Sequence, residues 1–279
     1  YYDQARFYFY QKLYPKNHRY SIPITGTLET VKKIKLHHVH SLYKKLINAY
    51  LMHLVIVGDV QKLNRLQIEK ALLKIKSTQI TIPSDPRIDN IKRAKTYSYS
   101  IPSTQTFVRI GTLATSRNHP NHLEYRLIAD MIGGGFGSIV MKKLREEKGL
   151  TYTPVGNFYT LRKGLGYFFI AYSTRTKNLE KSLKIIQKIF DGFKKNGIPI
   201  QNFKLSRRYL KGRLLQNEET NENITQLISH GIIFNLPIKH WKNEYDKIGK
   251  MSYKKVQKLI KNFFQTQPFI TIILQKKNN

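Results

Sequence analysis

The chain has 279 residues, which is enough for one large domain or two ordinary ones. It carries 49 Lys and Arg against 17 Asp and Glu, a formal net charge of +32, and contains no cysteine. Disulfides, thiolate zinc sites and cysteine nucleophiles are therefore excluded within this chain. An apolar content of 41% excludes a disordered or collagen-like chain. The longest apolar runs, 54–57 and 269–274, are too short for a membrane span, and we expect none.

The positive charge would suit nucleic acid, an anionic membrane or an acidic partner. However, the lysines lie singly or in pairs, as at 44–45, 142–143 and 194–195, and no run of five or six occurs. This dispersal favours a solvated surface, with a functional basic face as the alternative. No zinc-finger, helix-turn-helix or RNA-recognition signature accompanies the charge, so we expect no nucleic-acid partner.

The N-terminal part of the sequence predicts a helix that leads into a strand. Residues 1–15 lack the layout of a targeting signal, and we expect that the chain begins inside a longer precursor. The segment Val39–Tyr50 predicts an amphipathic helix with Leu42 and Leu46 on its apolar face. The following residues 51–59 (LMHLVIVGD) predict a short buried strand.

A proline-containing, polar segment at 77–100 predicts a linker between domains. Beyond it the pattern alternates between short apolar strands and amphipathic helices. The predicted elements are, in order, a strand Gln105–Leu113, a helix His122–Met131, a helix Gly137–Lys148 closed by Gly149, strands Leu150–Tyr159 and Gly166–Ser173 around the turn LRKG, helices Asn178–Lys195, Gln201–Asn217 and Ser252–Phe263, and a closing strand 268–275. Strands followed by helices predict an α+β fold.

The closing helix and strand resemble the unit that begins at Val39, with an offset of about 213 residues. We therefore expect two copies of one unit, of which the first keeps only its C-terminal part. The predicted organisation is a remainder of the first domain at 1–76, a linker at 77–100, and a second domain at 101–279.

Three stretches together resemble the insulinase/pitrilysin family of inverzincin metallopeptidases, which includes bacterial zinc proteases and mitochondrial processing peptidase subunits. The most specific is Gly133–Tyr152 (GGGFGSIVMKKLREEKGLTY). The others are Leu54–Asp59 and the stretch around His18, where an Arg replaces the family's proline. The resemblance implies two α/β rolls, each an antiparallel-rich sheet with helices on one side, the first truncated at its N-terminus.

The family's chemistry requires a zinc half with His-x-x-Glu-His on a helix, and this motif does not occur here. The resemblance therefore implies that this chain binds no catalytic metal, and that zinc belongs to a missing N-terminal segment or a partner subunit. It also implies that the chain is inactive alone. The candidate partners are a peptide or unfolded polypeptide and a zinc-bearing domain of the same family.

Arg145 and Tyr152 match the pair that the zinc-free half contributes. The resemblance implies that Tyr152 donates a hydrogen bond to the scissile carbonyl oxygen as it becomes an oxyanion, and that Arg145 holds substrate carbonyls. Gly149 would allow the turn that brings both side chains to one surface. In the alternative interpretation, Arg145 pairs with Glu124, Glu146 or Glu147, and Tyr152 is a half-buried strand aromatic.

The glycine-rich stretch Gly133, Gly134, Gly135 and Phe136 is a candidate substrate loop, because a longer glycine-rich loop lies at the corresponding place in processing-peptidase subunits. The alternative is a tight turn between helices, capped by Ser138. A phosphate cradle is disfavoured because no Lys-Ser or Lys-Thr pair follows.

Two histidine groups are weaker candidates for metal binding. His37, His38 and His40 cannot all point to one side of a helix, and no carboxylate follows at the spacing of a ligand. In the stretch from His119 to His122, a proline and a misplaced Glu124 disturb the ligand geometry. We therefore predict structural roles for both groups and assign no metal ligand.

The sequence thus predicts the substrate-binding, zinc-free half of an insulinase-family metalloendopeptidase. A non-catalytic structural or interaction subunit with the same fold is the first alternative, and a basic nucleic-acid-binding protein is the second. The resemblance favours a bacterial periplasmic or cytoplasmic location and allows the mitochondrial matrix.

Overall fold

The computed structural model describes residues 1–81, 86–88, 91–161 and 165–276. Part of the predicted linker at 77–100 and most of the predicted LRKG turn lie outside these residues. Contacts divide the chain into two compact units. The first comprises Tyr1–Ile22, Pro86–Leu214 and Lys242–Asn279, and the second comprises Pro23–Asp85 and Leu215–Trp241, each taken over its described residues. The division into a first domain, a linker and a second domain stays a prediction.

The first unit is built on a five-stranded mixed sheet with the strand order β1-β5-β2-β4-β3. β5 pairs in parallel with β1 and antiparallel with β2, and the other neighbours are antiparallel. The strands are β1 (Lys95–Ser100), β2 (Gln105–Leu113), β3 (Val155–Tyr159), β4 (Tyr167–Arg175) and β5 (Ile270–Gln275). β2 has the predicted bounds, whereas β1 occupies the last six residues of the segment predicted as a linker.

The helices of the described residues confirm most of the predicted helical segments to within a few residues. They are α1 (Tyr2–Leu13), α2 (Leu28–Lys32), α3 (Leu36–Leu46), α4 (Arg65–Leu73), α5 (His122–Gly133), α6 (Leu179–Asn196), α7 (Ile200–Gln216), α8 (Asn221–Ile233), α9 (His240–Gly249) and α10 (Tyr253–Thr266). Helices and one sheet in succession give the expected α+β class, which is confirmed. None of the helices in these ranges has the length and apolarity that crossing a bilayer requires.

Successive residues of a strand point to opposite faces of the sheet. Side chains on both faces of this sheet are buried, in two separate cores. On β4, Phe168, Ile170 and Tyr172 join one core with residues of α5, α6 and α10. Tyr167 and Phe169 join a second core with residues of α1. The aromatic helix α1 therefore covers the other face of the sheet.

The second unit contains α2, α3, α4 and α8. The predicted strand at 51–59 is wrong, because none of the described residues pairs with this segment and a strand needs a hydrogen-bonded neighbour. The predicted helix from Val39 is present as part of α3, but Leu42 and Leu46 are each 56% exposed. Asn48 ties the end of this helix to Thr78, since its side chain donates to the Thr78 carbonyl at 2.8 Å.

Candidate functional site

The glycine-rich stretch begins where α5 meets β3. Gly133 is the last residue of α5, and a Cβ at this position would lie 3.2 Å from the carbonyl carbon of Gly156 and closer still to its N and Cα. Only a glycine therefore allows the helix to approach the strand this closely. Gly135 then adopts φ +149°, a conformation that other residues rarely adopt. These two glycines fix where the chain leaves α5.

The segment after the glycines differs from the predicted regular helix at Gly137–Lys148. Met141–Glu146 form a π-helix, in which the Glu147 amide donates to the Lys142 carbonyl at 2.9 Å. The prediction of a regular α-helix is therefore wrong for these six residues, because the sequence pattern does not distinguish a π-helix from an α-helix. π-turns occur frequently at functional sites. Here the π-helix carries Arg145.

Gly149 ends this helix with φ +58°, which favours glycine. The following residue, Leu150, is buried, its amide donates to the Leu144 carbonyl at 2.8 Å, and its carbonyl accepts from Thr174 Oγ1 at 2.7 Å. The turn is thus anchored to the core and to β4, and it delivers Tyr152 just ahead of β3.

The structure brings Arg145, Tyr152 and Phe136 together. The guanidinium carbon of Arg145 lies 4.7 Å from the ring centroid of Tyr152 and 5.8 Å from that of Phe136. Both rings are 77% exposed. An exposed cation–π contact of this kind contributes about 0.5–1 kcal/mol and leaves the charge of the guanidinium in place.

The alternative ion pairs of Arg145 do not form. Glu147 accepts from Lys143 at 2.8 Å, and Glu124 accepts from Lys255 at 2.5 Å. Over the described ranges, no carboxylate pairs with Arg145. Tyr152 lies outside β3 and is exposed, so the alternative of a half-buried strand aromatic also fails.

A cavity of about 550 Å³ unites these residues within the first unit. It is lined by all the predicted site residues, namely Gly133, Gly134, Gly135, Phe136, Arg145 and Tyr152, together with residues of β3. Two further charged residues, Asp130 and Arg213, complete its wall. An apolar cavity with a few convergent polar groups is the usual form of a ligand site.

Asp130 and Arg213 were missed in the sequence because they come from α5 and α7 and no local pattern links them. Arg213 Nη1 lies 3.7 Å from Asp130 Oδ1. Burial raises the pKa of Asp130, and the neighbouring guanidinium groups of Arg126 and Arg213 oppose that rise. With one carboxylate against Arg145 and Arg213, the lining carries an excess of positive charge. Such a lining suits carbonyl oxygens and carboxylates.

The described residues do not provide a zinc site. No group of three or more His, Asp or Glu in these ranges could hold a metal ion. His38 Nδ1 accepts from the Lys35 amide at 3.1 Å, and His119 Nδ1 accepts from the Asn121 amide at 3.1 Å, so both rings serve local turns. Glu124 is occupied by Lys255. The ligands that catalytic zinc needs are thus not assembled here.

The chain is similar in sequence to one curated protein and in fold to several solved structures. The curated Helicobacter pylori protein "Non-peptidase homolog YmxG" is 24% identical over 262 residues, which cover 90% of this chain and 58% of that protein. A crystal structure of a peptidase M16 inactive domain from Pseudomonas fluorescens superposes with a TM-score of 0.84 at 22% identity. A protease from Helicobacter pylori superposes with a TM-score of 0.82 at 15% identity.

This chain covers only part of its relatives. It spans 58% of the curated protein and 66% of each of the two solved chains, while 99% and 97% of its own residues are matched by those structures. The family model described as "Peptidase M16 inactive domain" matches residues 33–210, well over half of the chain. The expected insulinase/pitrilysin resemblance is confirmed, and the chain belongs to the family of peptidase M16 inactive domains.

Proposed function

We propose that this chain is the polypeptide-binding, zinc-free half of an insulinase-family metalloendopeptidase. The observation that carries the proposal is the contact of Arg145 with the exposed ring of Tyr152 at the mouth of a cavity of about 550 Å³. Membership of the inactive-domain family supports it.

Apart from a contact of Arg145 Nη1 with Met141 Sδ at 4.0 Å, the geometry leaves the guanidinium donors of Arg145 and the hydroxyl of Tyr152 available among the described residues. The Tyr152 ring meets Arg145 through its face, so its phenolic O–H remains free to donate to a carbonyl oxygen. The guanidinium N–H groups lie in the guanidinium plane and point to its edges, where they can reach backbone carbonyls of an extended polypeptide. As negative charge develops on a carbonyl oxygen, the Tyr152 hydrogen bond becomes stronger.

The proposal assigns zinc to another segment or subunit, since the described residues offer no ligand set for it. The chain's own residues bind and orient the polypeptide and donate hydrogen bonds to it. Purified alone, the chain is therefore expected to hydrolyse no peptide. Hydrolysis that a chelator abolishes would contradict this part of the proposal.

Binding of a fluorescein-labelled unfolded polypeptide, such as reduced β-casein, tests the proposal by anisotropy. Arg145→Ala and Tyr152→Ala are each expected to weaken binding about tenfold, because aromatic and Arg anchors at contact centres contribute about 1–2 kcal/mol or more. Lys211→Ala is the matched control, since Lys211 lies 4.2 Å over the Tyr245 ring and does not line the cavity. Equal affinities for all variants would refute the proposal.

A second candidate is a non-catalytic interaction protein with the same fold. The name "Non-peptidase homolog" of the curated relative favours it. Peptide hydrolysis by the complex of this chain with its natural partner distinguishes the two functions. If Tyr152→Phe lowers peptide hydrolysis by that complex while assembly is unchanged, the chain serves a peptidase. If the complex forms but hydrolyses nothing, the chain is an interaction subunit.

A further inference from the structure

A second concavity of about 860 Å³ lies in the first unit and shares no lining residue with the Arg145–Tyr152 cavity. We call it the α6 groove. It is lined by part of the segment 137–148 that excludes Met141 and Arg145, by residues of α6 from Ile185 onwards, and by the loop 197–199. Nothing in the proposed function uses it.

The floor of the α6 groove is apolar. Ile139, Ile185, Ile189 and Tyr253 are partly buried, pack against the main core, and line the groove. Side chains in this position are supported by the core on one side and present apolar surface on the other. Apolar surface that is left open in this way is a common feature of binding grooves.

Gly192 opens the floor further. It lies in the interior of α6, where a glycine is unfavourable relative to alanine. A Cβ at this position would have no neighbour within 4 Å, so no packing contact of the described residues requires glycine here. The missing side chain leaves space in the floor of the groove. This space can accept an apolar side chain of a bound ligand.

The end wall of the groove is held rigidly. Gly197 has φ +70° and follows α6. The Ile198 amide donates to Gln257 Oε1 at 2.9 Å, while Gln257 Nε2 and the Tyr253 hydroxyl donate to the Ile198 carbonyl at 2.6 and 2.7 Å. A wall that is already ordered lowers the entropic cost of binding.

The rim of the groove is basic. Lys142, Lys143, Lys148 and Lys188 line it with a single acidic residue, Glu147. Glu147 pairs with Lys143 at 2.8 Å. Over the residues that the structure describes, the other three lysines have no ion-pair partner. The groove therefore combines uncompensated positive charge at its edge with apolar surface at its base.

From this complementarity we propose that the α6 groove is a docking site for a polypeptide segment that carries acidic side chains beside apolar anchors. Its carboxylates pair with the free rim lysines, and an apolar side chain fills the space above Gly192. The apolar floor favours such a segment over nucleic acid, which would use the charge alone.

The test uses the whole chain and a labelled synthetic helical peptide with Glu on one face and Leu and Phe on the other. Gly192→Trp fills the floor and Lys188→Glu reverses a rim charge, and each is expected to weaken binding at least about tenfold. A peptide with Gln in place of Leu and Phe, and one with Lys in place of Glu, are also expected to bind at least about tenfold more weakly.

Two control variants match these changes outside the groove. Gly212→Trp alters a helical glycine of α7 that also has no neighbour within 4 Å, and Lys181→Glu reverses a charge on α6 that does not line the groove. Circular dichroism verifies that every variant is folded. Unchanged affinity of folded Gly192→Trp and Lys188→Glu would overturn the proposal. Equal binding of the Gln peptide, or displacement by single-stranded nucleic acid at equal charge concentration, would overturn it as well.

Discussion

The substitution Gly133→Ala tests whether the close approach of α5 to β3 builds the Arg145–Tyr152 cavity. The added Cβ would lie 3.2 Å from the carbonyl carbon of Gly156 and closer to its N and Cα, all of them backbone atoms. Favourable carbon contacts need about 3.5–4.0 Å, so the helix end and the strand must separate by about 1 Å. Overpacking of this kind costs about 1–3 kcal/mol. Because Gly133 is the last residue of α5, the helix propensity of alanine offsets little of this cost.

We therefore expect Gly133→Ala to lower the free energy of unfolding by about 1–3 kcal/mol. Urea unfolding followed by circular dichroism measures it, with the midpoint shifted and the slope unchanged. Gly137→Ala, four residues on, is the matched control, because its Cβ would have no neighbour within 4 Å and stability should change by less than about 0.5 kcal/mol. Gly133→Ala should also weaken polypeptide binding, since Gly133 and Gly156 both line the cavity. Equal stability of the two variants would refute the reasoning.

Three further predictions concern the core and the helices. Burial raises the pKa of Tyr172 from its ordinary value of 10.0 to about 12. The protonated hydroxyl therefore stabilises the fold fully below about pH 10, and the free energy of unfolding falls by at most about 1.4 kcal/mol per pH unit as the pH rises towards 12. Tyr172→Phe should therefore narrow its stability gap to the wild type between pH 8 and 11 in urea unfolding, and a constant gap would contradict this. Gly192→Ala and Gly212→Ala should each raise the free energy of unfolding by about 0.5–1 kcal/mol, because both glycines lie in helices and an added Cβ would meet no neighbour within 4 Å. A lower free energy of unfolding would contradict this prediction. Glu244→Ala should cost about 3–5 kcal/mol, since it leaves the buried Arg117 without its ion-pair partner, and a thermal shift typical of a surface pair would disprove it.

Much of the fold could be predicted from local patterns. β2 has the predicted bounds, and α6, α7 and α10 agree within three residues. The helices α6 and α10 have a strong helical periodicity of apolar residues, and residues of all four segments are buried in one core. Local sequence and tertiary packing therefore favour the same structure, and the prediction succeeds.

The failures occur where the structure depends on a distant partner, or on a local hydrogen-bond register that the sequence does not specify. The segment 51–59 has the composition of a strand, but strands form only when another strand supplies hydrogen bonds. The π-helix at Met141–Glu146 differs from an α-helix only in its hydrogen-bond register. The aromatic helix α1 covers the second face of the sheet, which no pattern in residues 1–15 indicated.

The candidate site could be predicted only in part, because some of its residues are close together in the chain and others are far apart. Arg145 and Tyr152 were predicted from the resemblance of Gly133–Tyr152 to the family, and they are close in the chain, so the turn at Gly149 brings them to one surface. Asp130 and Arg213 enter the cavity from two helices that are far apart in sequence. Their contribution depends on tertiary packing and could be found only in the structure.

The most direct test of the account is to locate a bound unfolded polypeptide on the chain. A photo-crosslinking amino acid at Phe136, an exposed residue of the cavity lining, would report contact by mass spectrometry. A second crosslinker at Leu205 would serve for comparison, because this exposed residue of α7 does not line the cavity. The account predicts cross-links at position 136 that largely disappear with Arg145→Ala. Cross-links of equal yield at both positions, unaffected by Arg145→Ala, would contradict it.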